Sequence, residues 1–437
     1  SMSKATPTRR GIRFGTTFRA LSHRNYRAWF IGQTVSLIGT WMQTMAQQVL
    51  IYRLTGSAAA LGMINFVALI PLIPLSLWGG SLVDRVSKRK VITITQSIML
   101  AQALTLALLT LTGRVQIWHV FALAFILGSA SAVDLPARQA FTVEMVEGKD
   151  DLMNAIALNS AMFNMARAVG PAMAGVIVAA TGEGIAFLLN AFTFLAVIIS
   201  LSVMRNLPEP PAHAGVASDL RLHMGQGVRF VNENLNIKVI ISIVAVSAFL
   251  SMPYSTLMPV FADVVLKESA QPVVGLLCGP GNARCVAPEA LPLGLLLGAV
   301  GTGAVMGALY IASLRSNARR GLMLTIGTIG FPTILLLFST SRIFLLSMLL
   351  LMGMGFVFTW QNALANTMLQ VASPDDMRGR VMSFYTMTTQ TMMRLGGLQA
   401  GFMADWFGAP FALGIGAAIS LAYGLLVAVR FPGLRKI

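Results

Sequence analysis

Charge is scarce in this chain of 437 residues, where Asp, Glu, Lys and Arg together make up 11% and hydrophobic residues 56%. A soluble domain carries roughly a quarter charged residues, so this composition excludes a water-soluble globular protein. Acids are the scarcer sign, 16 against 32 bases, and there are only 4 histidines and 2 cysteines. The histidines, His23, His119, His213 and His223, fall at the ends of apolar stretches or in loops and compose no metal site. No Ser/His/Asp or Cys/His arrangement of a nucleophilic enzyme is evident. The absence of a Walker A sequence excludes an ATP-driven mechanism of that type. The alternating ten-residue segments of a membrane β-barrel are also missing. These absences imply no enzyme, no metal and no cofactor.

What fills the chain instead is long apolar runs. A spanning helix needs about 20 mostly apolar residues. Twelve such runs are expected, at 28–52, 58–83, 91–112, 116–139, 153–179, 184–204, 238–265, 291–313, 321–340, 343–370, 381–404 and 409–430. Short polar turns join most of them, which makes sequence neighbours antiparallel helices. The net charge of +16 is distributed rather than clustered. With the N-terminus inside, 25 of the 32 Lys and Arg fall in the tails and in alternate loops on that side. That asymmetry is the positive-inside rule and places both termini in the cytoplasm. The basic excess orients the chain in a bilayer and needs no nucleic acid to explain it. The first 27 residues are basic and amphipathic, without the apolar stretch of a cleavable signal.

The polar stretch around Leu207–Asn236, with Pro208, Pro210 and Pro211, divides the runs into two sets of six. A repeat links the sets: at an offset of 226 residues Gly170 falls on Gly396, Ala174 on Ala400, Gly175 on Gly401 and Gly182 on Gly408. The expected organisation is a cytoplasmic segment 1–27, a six-helix bundle 28–205, a cytoplasmic linker 206–237, a second bundle 238–430 and a tail 431–437. An insertion at 267–290 lies outside and holds both cysteines, Cys278 and Cys285. An oxidising exterior permits a disulfide between them; two free thiols are the alternative.

The loop Gly79-Gly80-Ser81-Leu82-Val83-Asp84-Arg85-Val86-Ser87-Lys88-Arg89-Lys90 lies between the second and third runs. It resembles the Gly-x-x-x-Asp-Arg-x-Gly-Arg-Lys loop of major facilitator superfamily transporters. Gly80, Asp84, Arg85, Lys88 and Arg89 match, and Ser87 replaces the second glycine. Further stretches narrow the branch: Arg24-Asn25-Tyr26-Arg27, Ser36-Leu37-Ile38-Gly39-Thr40-Trp41-Met42-Gln43, Asp134-Leu135-Pro136-Ala137-Arg138 and Arg167-Ala168-Val169-Gly170-Pro171. Together these are similar to the enterobactin-exporter-like branch, also called transmembrane secretion effectors, over nearly the whole chain except 267–290. The resemblance implies an all-α membrane protein of 12 transmembrane helices in two pseudo-symmetric six-helix bundles, the major facilitator fold. It further implies a monomer in a bacterial inner membrane that exports a small molecule by alternating access, with protons as coupling ion. In that family the Gly80, Asp84, Arg85 and Arg89 loop is a cytoplasmic gate, and Gly170-Pro171 with Gly175 match a motif associated with antiporters.

Polar residues inside apolar runs are costly and mark faces that see water, substrate or one another. Gln33, Ser36, Thr40, Gln43 or Thr44, and Gln47 lie on one helical face, which either lines a central cavity or bonds neighbouring helices. Arg167 and Arg394 lie about 18–21 Å from the cytoplasmic surface by helical rise. An unpaired guanidinium at that depth costs at least ~2.5–3.5 kcal/mol. Each therefore faces a cavity or a partner. As a pair, one from each half, they suit a carboxylate, phosphate, sulfonate or catecholate bound bidentately. The alternatives are bonds to backbone carbonyls or to Asp134. Asn164 sits beside Arg167, and Gln390 beside Arg394. Tyr254, Trp360 and Gln361 add rings and amides on other helices. Asp134 is the one acid well inside a run. It is the candidate for proton coupling, with Arg138 one turn on as its structural partner.

The reading is a secondary active exporter of a small amphiphilic anion, siderophore-like or a drug, by proton antiport. A lysolipid entering sideways from the bilayer is the nearest alternative, and a non-transporting sensor or scaffold the alternative of another class.

Overall fold

A computed structural model describes residues 17–208, 220–314 and 318–437. Among them the chain is nearly all helix, with no strand. The first half runs α1 (Arg24–Thr55), α2 (Ala58–Arg85), α3 (Lys88–Leu111), α4 (Ile117–Met145), α5 (Lys149–Thr181) and α6 (Glu183–Ser202). Helix α7 (Leu220–Glu233) lies within the stretch read as a linker. The second half comprises α8 (Leu235–Leu250), α9 (Tyr254–Val260), α10 (Lys267–Cys278), α11 (Ala290–Ala312), α12 (Arg320–Thr340), α13 (Phe344–Ala372), α14 (Arg378–Phe407) and α15 (Ala409–Arg430). Ten stretches among the described residues are long and apolar enough to cross a membrane. Helices α1 and α14 are also long, at 32 and 30 residues, but they are more polar. They carry the Gln33 and Arg394 stripes. A helix shielded from lipid by its neighbours need not be apolar all round.

Three departures from the sequence reading have physical causes. Helix α1 begins at Arg24 because its start is tied to α5. The Tyr26 hydroxyl lies 2.8 Å from Asn159 Oδ1 and 3.0 Å from the Ala155 carbonyl, and Asn154 Oδ1 accepts Ala20 N–H. Asp151 pairs with Arg19 and His23 beside it. The run 238–265 is not one helix but breaks at Ser251-Met252-Pro253. The insertion 267–290 is largely helical, and Cys278 and Cys285 form a disulfide there, with Cα atoms 5.1 Å apart.

Two ends can be distinguished: a terminal end, where α1 starts and α15 finishes, and the far end. Toward the far end a single apolar core runs through both halves. It joins Leu50, Ile51, Leu61 and Val178 to Leu257, Phe261, Leu293 and Phe338. Toward the terminal end each half keeps its own core. Trp29, Ile92, Phe141 and Leu201 pack in the first half, and Ile240, Leu324, Leu369 and Val381 in the second. The halves are thus joined at the far end and packed separately at the other.

Two seams make that join, α5 on α11 and α2 on α14. A Cβ on Gly294 would sit 2.5 Å from Gly175 Cα, and one on Gly62 would sit 2.4 Å from the Gly397 carbonyl oxygen. Lipid tails are as apolar as side chains, so membrane helices associate through close packing and polar contacts. Glycine at these crossings is what permits the approach.

Candidate functional site

The break in the seventh apolar run organises the centre of the molecule. Pro253 has no N–H and its ring collides with a helical carbonyl four residues back. The Ser251 and Met252 N–H groups both turn onto the Ser247 carbonyl, and a new helix starts at Tyr254. Ser251 is fully buried, and its hydroxyl has no partner.

The short helix α9 then reaches two ways across the boundary between halves. Arg167 Nη2 on α5 lies 3.4 Å from the Tyr254 hydroxyl, and its guanidinium carbon sits 5.5 Å above the Phe358 ring centre. A cation over an aromatic face is attracted by the ring quadrupole. Phe331 packs edge-on to Tyr254 and against Phe358, so a wall of rings stands beside this charge. On the other side, Asn65 Nδ2 on α2 donates to Thr256 Oγ1 at 3.3 Å. Arg394 Nη1 on α14 donates to the Asn65 backbone carbonyl at 3.1 Å. Arg394 Nε is buried and has no partner. The two arginines are held by a phenol, a ring face and a carbonyl; no salt bridge joins either to an acid among the described residues.

Asp134 belongs to a separate system inside the first half. It is fully buried and accepts from the Thr95 hydroxyl, from Gln96 Nε2 at 3.3 Å and from Arg138 one turn on. Arg138 Nη1 also donates to Gln33 Oε1 at 3.1 Å. Gln33 Nε2 and Gln96 Oε1 are left buried without partners. The ion pair lies within one helix and does not cross between halves.

Several residues singled out in the sequence are placed away from the centre. Gln43 is buried in an amide cluster with Gln102 and Asn190, packed between α1, α3 and α6 rather than lining a space between halves. Gln361 is buried against Ser247 inside the second half. Trp360 stacks on Tyr310 at 5.1 Å and packs at a tilt against Phe356. It projects to a different side of α13 from Phe358, two residues away. Thr40 and Asn164 bond to carbonyls one turn back on their own helices. Gln390 lies one turn before Arg394 on the same side of α14. Arg89 donates to the Ser202 carbonyl at the end of α6, within the first half. Gly80, Asp84 and Arg85 fall in the last turns of α2, and their side-chain positions lie outside the described residues.

At the far end, sequence reasoning missed a charged cavity of about 120 Å³ lined by Tyr52, Arg53, Asp263 and Glu289. Arg53 pairs there with Glu183 at 2.9 Å. Burial, followed by the charges of Asp263 and Glu183, pushes the Glu289 carboxyl above its ordinary value of 4.5, while a backbone hydrogen bond and Arg53 pull it back. Close by, the backbone N–H groups of Val286 and Ala287 donate to the Ala179 carbonyl of the other half at 2.9 and 3.1 Å. The α5 C-terminus would otherwise leave such carbonyls unpaired.

Two halves of helices that meet in glycine seams around a central pair of arginines have the fold of major facilitator membrane transporters. The chain matches the transmembrane secretion effector family over residues 15–436, and it belongs to that family. It is 24% identical over 396 residues to the staphyloferrin A transporter of Staphylococcus aureus (strain NCTC 8325 / PS 47), covering 87% of this chain and 89% of that protein. It is 25% identical over 425 residues to the enterobactin exporter EntS of Escherichia coli O81 (strain ED1a), covering 95% and 94%. Among solved structures the nucleoside transporter NupG superposes with a TM-score of 0.68 at 13% identity, over 94% of this chain and 99% of that one. A bacterial homologue of the human lysosomal transporter Spinster, in an inward-facing and unoccupied conformation, superposes at 0.69 with 11% identity, over 94% and 98%.

Proposed function

We propose that this transporter is a secondary active exporter that carries a small amphiphilic anion out of the cytoplasm by alternating access. The observation that carries this reading is Arg394: a guanidinium near the middle of a long helix between the halves, bonded to one neutral carbonyl, with Nε buried and unpartnered. A carboxylate or catecholate reaching it supplies the missing acceptor through a charge-assisted bond. Arg167, Tyr254 and the Phe331–Phe358 wall offer a second cation and ring faces to the rest of the molecule. The names of the two relatives direct the choice of substrate toward siderophores. With the termini in the cytoplasm, as the basic loops argue, the separately packed end faces the cytoplasm and the joined end faces out, a conformation suited to loading from inside. Both seams are closed backbone to backbone in the far half, which favours loading from the aqueous side over lateral entry at that depth.

Protons drive the cycle in this reading, with Asp134 taking up and releasing one and Arg138 and Gln33 answering its charge. The chain acts as a monomer in the bacterial inner membrane. The test is transport of enterobactin and staphyloferrin A into inverted vesicles by the wild type and by Arg394→Ala. Uptake by the wild type and its loss in Arg394→Ala support the reading; equal uptake by both contradicts the assigned site.

A further inference from the structure

We infer that Asn65 couples occupancy of the Arg394 site to opening of the far end. This rests on the anion-site reading given above. Asn65 stands on α2, yet two elements of the opposite half hold it. Its carbonyl accepts Arg394 Nη1 of α14 at 3.1 Å, and its amide donates to Thr256 Oγ1 of α9 at 3.3 Å. One turn toward the far end, Gly62 meets Gly397; a further turn on, a Cβ at Gly401 would sit 2.5 Å from the Ala58 carbonyl oxygen. The seam ends where Asp405 accepts the N–H groups of Ala58 and Ala59. It is therefore one antiparallel contact with a polar catch at each end and close glycine crossings at Gly62 and Gly401 between.

Close packing of small residues holds the seam between the catches, and the polar catches at its two ends bias the balance between closed and open. The outer catch is a carboxylate on the N-terminus of a helix, which is electrostatically favourable. The inner catch gives a guanidinium only a neutral carbonyl. Hydrogen bonds between ionised partners are roughly twice as strong as neutral ones. An anion at Arg394 draws the guanidinium from Asn65 and leaves α2 held at mid-depth by the amide–hydroxyl bond alone. Linkage makes the effect reciprocal: whatever loosens the seam raises the affinity of the anion.

The experiment uses the full chain in nanodiscs, with spin labels on Thr112→Cys and Thr340→Cys. Both positions are exposed at far-end turns, one in each half. Distances are measured for the wild type, Asn65→Ala and Thr256→Val, with and without enterobactin or staphyloferrin A. Without either compound, both variants are expected to show a longer-distance population that the wild type gains only on adding it. Both variants are also expected to bind the compound more tightly than wild type, whereas a purely structural role weakens binding. Compound-free distributions identical to wild type in both variants overturn the inference, as does weaker binding by both. If Asn65→Ala does not fold, Thr256→Val carries the comparison. If the wild type responds to neither compound, the anion-export reading fails, and the compound-free comparison still decides the role of Asn65.

Discussion

Asp405 on α14 caps the start of α2 in the opposite half. Its Oδ1 accepts Ala58 N–H at 2.7 Å; its Oδ2 accepts the Ser57 hydroxyl at 2.6 Å and Ala59 N–H at 3.1 Å. A helix start has unpaired N–H groups and a positive dipole end, and a carboxylate answers both. Here the acid comes from the other bundle, so the cap also fastens the far end. Replacing a capping side chain with alanine costs about 0.5–2 kcal/mol. Asp405→Ala is expected to raise the far-end-open fraction about five-fold, corresponding to ~1 kcal/mol. Asp405→Asn keeps an acceptor and has a smaller effect. Spin-label distances between Thr112→Cys and Thr340→Cys read the difference.

Arg394 separates charge from geometry. Arg394→Ala removes the cation, and hydrogen bonds to charged groups are worth ~1.5–3 kcal/mol, so anion affinity should fall about ten-fold or more. Arg394→Lys keeps a charge but loses the planar fork and is expected to fall between the two. Titration calorimetry with enterobactin checks the order wild type, Lys, Ala.

Closure of the far end should also depend on pH through Glu289. Its carboxyl is raised by burial and by neighbouring acids, so the closed form holds that proton more tightly than an open, hydrated form does. The contribution to closure is complete below the ordinary value of 4.5 and is lost as pH rises through the raised one. Label distances should lengthen with rising pH in the wild type. Glu289→Gln, neutral throughout, should flatten that dependence.

The disulfide holds the loop that caps α5 from the other half. A bridge across a sequence separation of 7 contributes about 2.5 kcal/mol on a loop-closure estimate. Cys278→Ser with Cys285→Ser is expected to lower the thermal midpoint and loosen the Val286 and Ala287 contacts with Ala179. Hydrogen exchange at those two amides measures the second effect.

The helical plan was legible because length, charge and spacing encode it directly. So was the Asp134–Arg138 pair, since residues four apart on a helix must meet. Direction was harder to read. In a membrane protein, lipid-facing and core-facing positions are both apolar, so hydropathy does not say which side of a helix looks inward. Gln43 and Trp360 point away from the centre for that reason. The break at Ser251–Pro253 replaces a few residues of an otherwise unbroken apolar run, and Pro253 alone does not distinguish a kink from an end. Asn65 is a single amide in an apolar helix. Its role arises from contact with residues 191 and 329 positions away, a register that local pattern does not contain.

The most direct test of the central claim is proton movement in liposomes loaded with a pH-sensitive dye. Enterobactin, staphyloferrin A and a lysolipid are added in turn to wild type, Arg394→Ala and Asp134→Asn. The expected result is siderophore-dependent proton flux in the wild type, lost in Asp134→Asn and reduced in Arg394→Ala, with no response to the lysolipid. Flux that is the same in all three proteins would contradict both the anion site and the coupling residue, and flux driven by the lysolipid alone would contradict the substrate class.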